Sequence, residues 1–424
     1  MDLYSLFLQH PVITTDSRDC PQGSIFFALK GDTFNGNQYA AAALEKGCAY
    51  AVVDEAEYAV DNRFVLVPDV LTALQQLANE HRRALGTKII GVTGTNGKTT
   101  TKELIATVLS KKYNVLYTQG NFNNHIGVPK TLLRLTKEHE IAVIEMGANH
   151  PGEIKTLVDI VEPDCGLITN VGKAHLEGFG SFEGVIKTKG ELYDFLRTKS
   201  GAKVFIDADN EHLMGIADGL ELVKYGVDTK AGDVVVKGEV KACDPFLRFT
   251  WNGGEVQTHL IGAYNIYNML AAATIGLHFG VTPEQVNEAL AGYVPSNNRS
   301  QLTVTDRNKL IVDTYNANPT SMMAALRNFT LMTVSPKMAI LGDMRELGSV
   351  SAAEHQKVID YLKKEHIDDV WLVGEEFGKT VCSYRKFHNV DEVKQELNTN
   401  PVTGKYILIK GSNGIKLFEL PELL

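Results

Sequence analysis

Residues 88–93, Lys-Ile-Ile-Gly-Val-Thr, form an apolar stretch that opens directly into Gly94-Thr95-Asn96-Gly97-Lys98-Thr99-Thr100, and a helical pattern follows to about residue 111. A strand feeding a glycine-bounded loop and then a helix commits this part of the chain to a parallel α/β layer. Glycines at both ends let consecutive N–H groups face inward, and the helix adds its positive amino end, so the loop makes a cradle for phosphate. In such a loop Lys98 reaches the β- and γ-phosphates, and the Thr99 hydroxyl sits on Mg2+. A glycine turn with an incidental lysine is the competing reading. The strand before and the helix after are the context that the phosphate loop requires.

At 424 residues the chain exceeds a single ordinary core, so two or three domains are expected. A hydrophobic share of 44% and a charged share of 22% describe a globular protein. A net charge of −9 argues against nucleic acid as partner, which needs a basic face, but leaves room for a nucleotide held by a few local groups. Cys20, Cys48, Cys165, Cys243 and Cys382 are scattered, odd in number and without zinc-ligand spacing, which fits a reducing compartment rather than a disulfide framework. The amino terminus lacks a basic region followed by an apolar stretch, and no apolar run approaches a membrane span. A soluble cytoplasmic chain with no membrane partner is the expectation.

The periodicity predicts three segments. Residues 1–86 read as a small mixed α/β unit with strands near 23–29 and 48–53 and helices near 39–46 and 71–85, the last closed by Gly86. Residues 87–296 alternate strands (114–117, 141–145, 166–169, 203–206) with helices (128–135, 152–161, 182–196), the rhythm of a parallel sheet. Over 233–260 the period drops to two, which predicts antiparallel strands, before helices near 266–279 and 284–291. A polar stretch at 295–298 reads as a linker, and residues 297–424 as a third α/β unit with strands near 301–305, 309–313, 337–341, 369–373 and 405–410.

Candidate chemistry gathers at strand ends. The apolar run 141–145 finishes on Glu145, the placement of a group that holds Mg2+, or of a cap for the helix that follows. His175 lies in the loop after the strand at 166–169, where a lone histidine is most often a bystander. Lys187, Lys189 and Glu191 on a helix read, from the residues alone, most often as a solvated face. The loop Gly120-Asn121-Phe122-Asn123-Asn124-His125 is dense in amides and stands open between an Asn-rich turn and a site for an oxygen-rich ligand. Asp313-Thr314-Tyr315-Asn316-Ala317-Asn318-Pro319-Thr320 runs from a strand end into a helix; Asp313 suits a ribose, while Asn318 and Thr320 also suit a helix cap.

Taken together, Asp16-Ser17-Arg18, the 94–100 loop, residues 121–129, Glu145-Met146-Gly147, His175, Lys189-Gly190-Glu191, residues 262–268 and the 313–319 run resemble the Mur ligases in order along nearly the whole chain. The resemblance implies three domains: an N-terminal one that grips a UDP moiety, a central P-loop ATPase with a mainly parallel sheet, and a C-terminal doubly wound, Rossmann-like domain that closes over the site. It implies that Gly94, Thr95, Asn96, Gly97, Lys98, Thr99 and Thr100 hold ATP phosphates, with Lys98, His175 and Lys189 as catalytic groups. Ser17, Arg18, Asn121, Asn123 and Asn124 would face the UDP-sugar substrate. Thr99, Glu145, His175 and Lys189 would hold two Mg2+, one of them through a carbamylated Lys189. Asn265 and Asn268 would lie near adenine, and Arg299, Asp313 and Asn316 would reach the nucleotide from the closing domain. The Tyr315-Asn316-Ala317-Asn318-Pro319 run resembles the signature of the family member that adds D-alanyl-D-alanine to UDP-N-acetylmuramoyl-tripeptide through an acyl phosphate. The family leads to the expectation of a monomer. Asn413 stands where the family commonly has Arg, a departure at that position. Another amide ligase of the superfamily, adding a single amino acid to a UDP-muramoyl peptide or glutamate to a folate, is one alternative, and a nucleotide-dependent regulatory ATPase is another.

Overall fold

The computed structural model describes residues 2–228, 232–295 and 299–424. Three main sheets divide the chain into three α/β domains, the class expected from the sequence. The expected linker at 295–298, and with it the division at 296/297, falls largely on 296–298, outside the described residues.

In the first domain, helix α1 (Leu3–Gln9) starts on the Asp2 carboxylate, which accepts the Ser5 N–H. Strands β1 (Ile13–Thr14) and β2 (Ile25–Phe27) pair in parallel, and a short ribbon of β3 (Lys30–Gly31) and β4 (Phe34–Asn35) follows. The alanine-rich α2 (Ala40–Glu45) then leads to β5 (Tyr50–Val53) and β6 (Phe64–Leu66), giving the parallel order β1-β2-β5-β6. Helix α3 (Val70–Leu85) is capped by Asp69 and ends on Gly86 in the left-handed region, as the sequence predicts. It buries Leu74, Leu77 and Ala78, and its outer face bonds the second domain: Gln75 donates to the His125 carbonyl at 3.0 Å, and the His81 ring lies 2.9 Å from the Leu135 carbonyl. One continuous apolar core therefore joins the first domain to one face of the central sheet.

The central sheet is entered by β7 (Lys88–Thr93), which passes through the glycine loop into α4 (Lys98–Leu109). Strands β8 (Val115–Tyr117) and β9 (Ile141–Glu145) flank helix α5 (Gly127–Leu132), and β10 (Cys165–Ile168) follows α6 (Glu153–Val161). The short α7 (Leu176–Phe179) and the long α8 (Phe182–Arg197) precede β11 (Lys203–Asp207), and α9 (Glu211–Gly215) precedes β12 (Glu221–Gly226). Strands β13 (Val236–Cys243), β14 (Phe246–Trp251) and β15 (Gly254–Ile261) pair antiparallel with one another, which is the period-two stretch of the sequence. The order is β15-β14-β13-β12-β11-β10-β7-β9-β8. Helices α10 (Asn265–His278) and α11 (Pro283–Gly292) cover the α4 face, the former nearly all apolar because it is buried on most sides.

In the third domain β16 (Gln301–Val304) is an antiparallel edge on β17 (Lys309–Asp313). Helix α12 (Pro319–Leu331), β18 (Lys337–Gly342), α13 (Ser351–Lys364), β19 (Val370–Val373), α14 (Glu375–Gly378), β20 (Arg385–Phe387), α15 (Val390–Thr399) and β21 (Tyr406–Lys410) complete the order β16-β17-β21-β18-β19-β20. Apolar residues of α12 and α13 pack on one face and those of α15 and the C-terminal turns on the other, so the sheet is wound on both sides.

Candidate active site

The carboxyl ends of β7, β9 and β10 lie side by side, and their loops build the site. Gly94 turns at φ +140°, and a Cβ there would stand 2.1 Å from the Thr169 hydroxyl. Gly97, at φ +76°, begins α4. The loop after β10 braces the phosphate loop: Asn170 accepts the Asn96 N–H at 3.0 Å and donates to the Asn96 carbonyl at 2.9 Å, while Thr169 donates to the same carbonyl at 2.7 Å. Lys98 folds back onto the carbonyls of Gly94 and Thr95 at 2.9 and 3.1 Å. Burial, opposed by Glu145 and reinforced by Arg299, pushes the Lys98 amine down to about 8.

Glu145 ends β9 almost wholly buried, and its Oε1 accepts from the Thr99 hydroxyl at 3.2 Å and from the Asn123 amide at 2.8 Å. Oε2 is buried without a hydrogen-bond partner. The helix-cap reading of Glu145 does not hold, because α6 starts on Gly152 and its first-turn N–H groups at Gly152 and Lys155 go to Glu191. Glu191 thus has a structural task on α8, and Lys189 on the same helix is no solvated face: it is 2% exposed and donates to the Ala148 carbonyl at 3.1 Å. Burial, with Lys98 nearby, pushes the Lys189 amine down to about 7. His175 stands at φ +50° before α7 and pairs with Glu346 of the third domain; burial lowers its pKa against the pull of that carboxylate.

The third domain touches the loop directly. Asn318 caps α12 with its side-chain oxygen and donates its amide to Asn96 Oδ1 at 2.8 Å, and Thr320 accepts the Lys173 N–H at 3.1 Å. The cap and the contact coexist on Asn318. Asp313 pairs with Lys410 at 2.6 Å, and the Arg299 guanidinium stacks 3.7 Å from the Tyr315 ring centroid. A cleft of ≈ 1210 Å³ opens between these walls. It is lined by the loop from Thr95 to Thr100, by Asn121, Asn123 and Asn124, by Glu145 and His175, by Asn265 and Asn268, and by Arg299, Asp313 and Asn316. Gly94 lies behind the loop and supplies the carbonyl that takes Lys98.

Besides Gly94, three expected residues fall outside that lining. Ser17 and Arg18 sit in the first domain, where Arg18 spans the Asp16 carboxylate and the Ser17 carbonyl takes Lys46 at 2.7 Å. Lys189 lies behind the wall, reaching it through Ala148. The amides of Asn265 and Asn268 are engaged within the protein: Asn268 accepts from Thr101 and donates to Asn265, which donates to the Ile261 carbonyl. Asn413 is exposed, and Arg345 donates to the neighbouring Gly414 carbonyl at 3.4 Å. Sequence reasoning missed Asn170, which follows a strand next to the loop strand, and Lys102, which shares the Lys98 face of α4 at a spacing of four. It also missed Asp207, a cleft carboxyl at the end of β11 that burial raises to about 7. Among the described residues no cluster of three or more His, Cys, Asp or Glu is poised for a metal ion, and no helix is long and apolar enough to cross a membrane.

Residues 92–276 match the family model for the Mur ligase middle domain, 298–413 that for the Mur ligase glutamate ligase domain, and 11–82 that for the Mur ligase family catalytic domain. The chain is 36% identical over 425 residues to the UDP-N-acetylmuramoyl-tripeptide–D-alanyl-D-alanine ligase of Bacillus subtilis, covering 96% of this chain and 92% of that one. It is 35% identical to the ligase of the same description from Escherichia coli, over 86% of this chain and 81% of the relative. Among solved structures, MurF from Acinetobacter baumannii superposes with a TM-score of 0.85 at 31% identity, covering 96% and 92% of the two chains. MurF ligase from Thermotoga maritima in complex with ADP gives 0.86 at 25% identity, covering 100% and 98%.

Proposed function

The chain belongs to the Mur ligase family, and from that premise we propose that it joins D-alanyl-D-alanine to the peptide carboxylate of UDP-N-acetylmuramoyl-tripeptide, with ATP converted to ADP and phosphate. The observation that carries this reading is the 2.8 Å bond from Asn318 to Asn96, which seats the Tyr315-Asn316-Ala317-Asn318-Pro319 run against the phosphate loop. Curated relatives with that activity support it.

The peptide carboxylate attacks the γ-phosphorus, the bond to the β-phosphate oxygen breaks, and an acyl phosphate and ADP result. The dipeptide amine then attacks the acyl carbon, loses a proton, and expels phosphate. Approach of one anion to another is the difficulty, and Lys98, released from the Gly94 and Thr95 carbonyls, would meet the charge that develops on the transferring group. Inward-facing N–H groups of 95–100 would hold the other phosphates. Asn121, Asn123 and Asn124 would orient the muramoyl peptide, and Arg299, Asp313 and Asn316 would hold the nucleoside from the third domain, whose closure keeps water from the acyl phosphate. Asn265 and Asn268 would shape the adenine side by bracing α4 against α10. Ser17 and Arg18 would contact the UDP end.

The residues present fit magnesium. The buried Glu145 Oε2 has no hydrogen-bond partner, and Oε1 faces the Thr99 hydroxyl, a pairing of hard oxygen donors. Thr99 and Glu145 would hold one ion, and His175 with Lys189 a second. With the Lys189 amine pushed down to about 7, its neutral form is available to add CO2 and release a proton, leaving a carbamate anion where a cation would otherwise stand. Bound Mg2+ would supply charge neutralisation for the transferring phosphoryl group. The test is phosphate release from ATP with UDP-muramoyl tripeptide, with and without the dipeptide. Release that depends on both, with formation of the pentapeptide precursor, is expected. Hydrolysis indifferent to the UDP-muramoyl peptide would overturn the reading, as would preference for a single amino acid.

A further inference from the structure

Lys102 lies one turn beyond Lys98 on the buried face of α4. It is fully buried, and its ammonium has no hydrogen-bond partner. Its neighbours are Glu103 Oε1 at 3.6 Å, Glu145 Oε2 at 3.9 Å and the Tyr117 ring, whose centroid is 5.7 Å away. The Glu103 carboxylate is partly exposed and accepts the Tyr293 hydroxyl at 2.5 Å. Glu145 is buried, and the Oε2 that Lys102 faces is the oxygen with no hydrogen bond. Two buried opposite charges at that separation, the ammonium without a hydrogen bond and the facing carboxylate oxygen without one, lose more in desolvation than their attraction returns. An apolar residue on α4 would pack there at less cost, so stability gives no reason for a lysine.

The surrounding charges give one. Lys98 and Lys102 both feel the Glu145 carboxylate, Lys102 at 3.9 Å, so Glu145 faces two lysines across the phosphate-loop floor. A divalent ion arriving alone at Glu145 meets a carboxylate already opposed by two lysines, with Lys102 directly behind it at 3.9 Å and low dielectric. A nucleotide brings several negative charges of its own, and these outweigh the lysine.

We propose that Lys102 makes divalent-cation binding at Glu145 conditional on the nucleotide, by cancelling the carboxylate's charge until phosphates are present. This rests on the reading of the loop as a nucleotide–magnesium site. It makes Lys102 a positioning residue, acting through Glu145 and touching neither substrate.

The test uses the full chain with Mn2+ as probe, free Mn2+ being followed by electron paramagnetic resonance without nucleotide and with saturating ADP, against ADP lacking protein. The wild type is expected to bind Mn2+ weakly alone and at least ~10-fold more tightly with ADP. In Lys102→Gln the nucleotide-free affinity is expected to rise ~10-fold or more, with little change when ADP is bound, and Lys102→Arg is expected to behave as wild type. A merely structural role would weaken binding in both states, the opposite sign. Equal Mn2+ affinity of the wild type with and without ADP would overturn the proposal without any variant, and so would a folded Lys102→Gln with unchanged nucleotide-free affinity. No Mn2+ binding even with ADP would instead overturn the nucleotide–metal reading beneath it.

Discussion

Lys98 is held on two backbone carbonyls, and a phosphate oxygen carrying charge is the stronger acceptor, so on the proposed function the side chain is expected to exchange one set of partners for the other when nucleotide arrives. Lys98→Ala is expected to lower ligation by roughly 10³-fold or more while leaving UDP-substrate affinity nearly unchanged, measured by phosphate release and by calorimetry. Lys189 illustrates a different economy. Its amine is held at about 7, below the ordinary value of 10.5, mainly by burial. Between those two pH values the unfolded chain keeps the proton that the folded chain sheds, so this residue destabilises the fold increasingly as pH falls from 10.5 to 7, with no further loss below. Lys189→Met is therefore expected to unfold at a higher temperature than the parent at neutral pH, with the gap closing towards pH 10.5, while ligation is lost. Scanning calorimetry across that range checks it. Ligation by the parent is expected to rise with bicarbonate near pH 7 if the neutral amine is carbamylated.

At the level of elements, the phosphate loop works because β7 and β10 approach closely enough for the 94–97 turn to hydrogen-bond the 169–170 loop. Gly94→Ala would drive a Cβ to 2.1 Å from the Thr169 hydroxyl and 2.9 Å from its backbone nitrogen, at φ +140° where side chains are strained. A loss of ~2 kcal/mol or more and failure to bind ADP are expected, read by thermal unfolding and calorimetry. Asn318→Ala removes both the α12 cap and the bond to Asn96, so a stability loss of ~1 kcal/mol is expected together with a raised KM for ATP. Replacement by Asp, which caps as well but carries no amide donor, is expected to restore stability without restoring KM. What the chain reveals of these elements before folding follows their locality. The strand–loop–helix at 88–109 and the period-two ribbon at 236–261 are written in consecutive residues, and both stand where the sequence places them. Strands β12 and β20 escape because the one is half-buried without alternation and the other has three residues. Glu145 and His175 read as ambiguous because their partners, Asn123 and Glu346, lie 22 and 171 residues away. Lys102 carries a legible spacing from Lys98, but its isolation from hydrogen bonds exists only in the packed interior.

Across the whole molecule, the first and second domains share a continuous apolar core, whereas the third meets the second through a small apolar seam, where Phe246 and Ile261 pack into the third domain's core, and through polar contacts around the cleft. The polar contacts include the amide bond from Asn318 to Asn96, the Lys173 N–H to Thr320, the Ala263 N–H to Asn328 at 3.3 Å, the Thr333 hydroxyl to Asp244, the His175–Glu346 pair and Lys173 with Glu354 at 3.4 Å. Apolar burial is non-directional and costly to separate, while partly exposed ion pairs are each worth about 0–1 kcal/mol and are screened over roughly 8 Å at physiological salt. The seam to the third domain is the smaller of the two, so the third domain is expected to be the easier one to displace. Glu346→Gln with Glu354→Gln removes both charge pairs without touching the nucleotide cradle. In solution scattering of the nucleotide-free protein, the double variant is expected to show a larger radius of gyration than the parent. Raising salt to several hundred millimolar should bring the parent to the same dimension. On the proposed function nucleotide and substrate restore closure through contacts the variant retains, so its KM for ATP should rise roughly 3- to 10-fold, the cost of a smaller closed population, while Glu354→Gln alone, which leaves the His175–Glu346 pair intact, should keep its maximal ligation rate within about twofold. A radius unchanged by both the substitutions and salt would mean that the polar contacts do not hold the third domain in place.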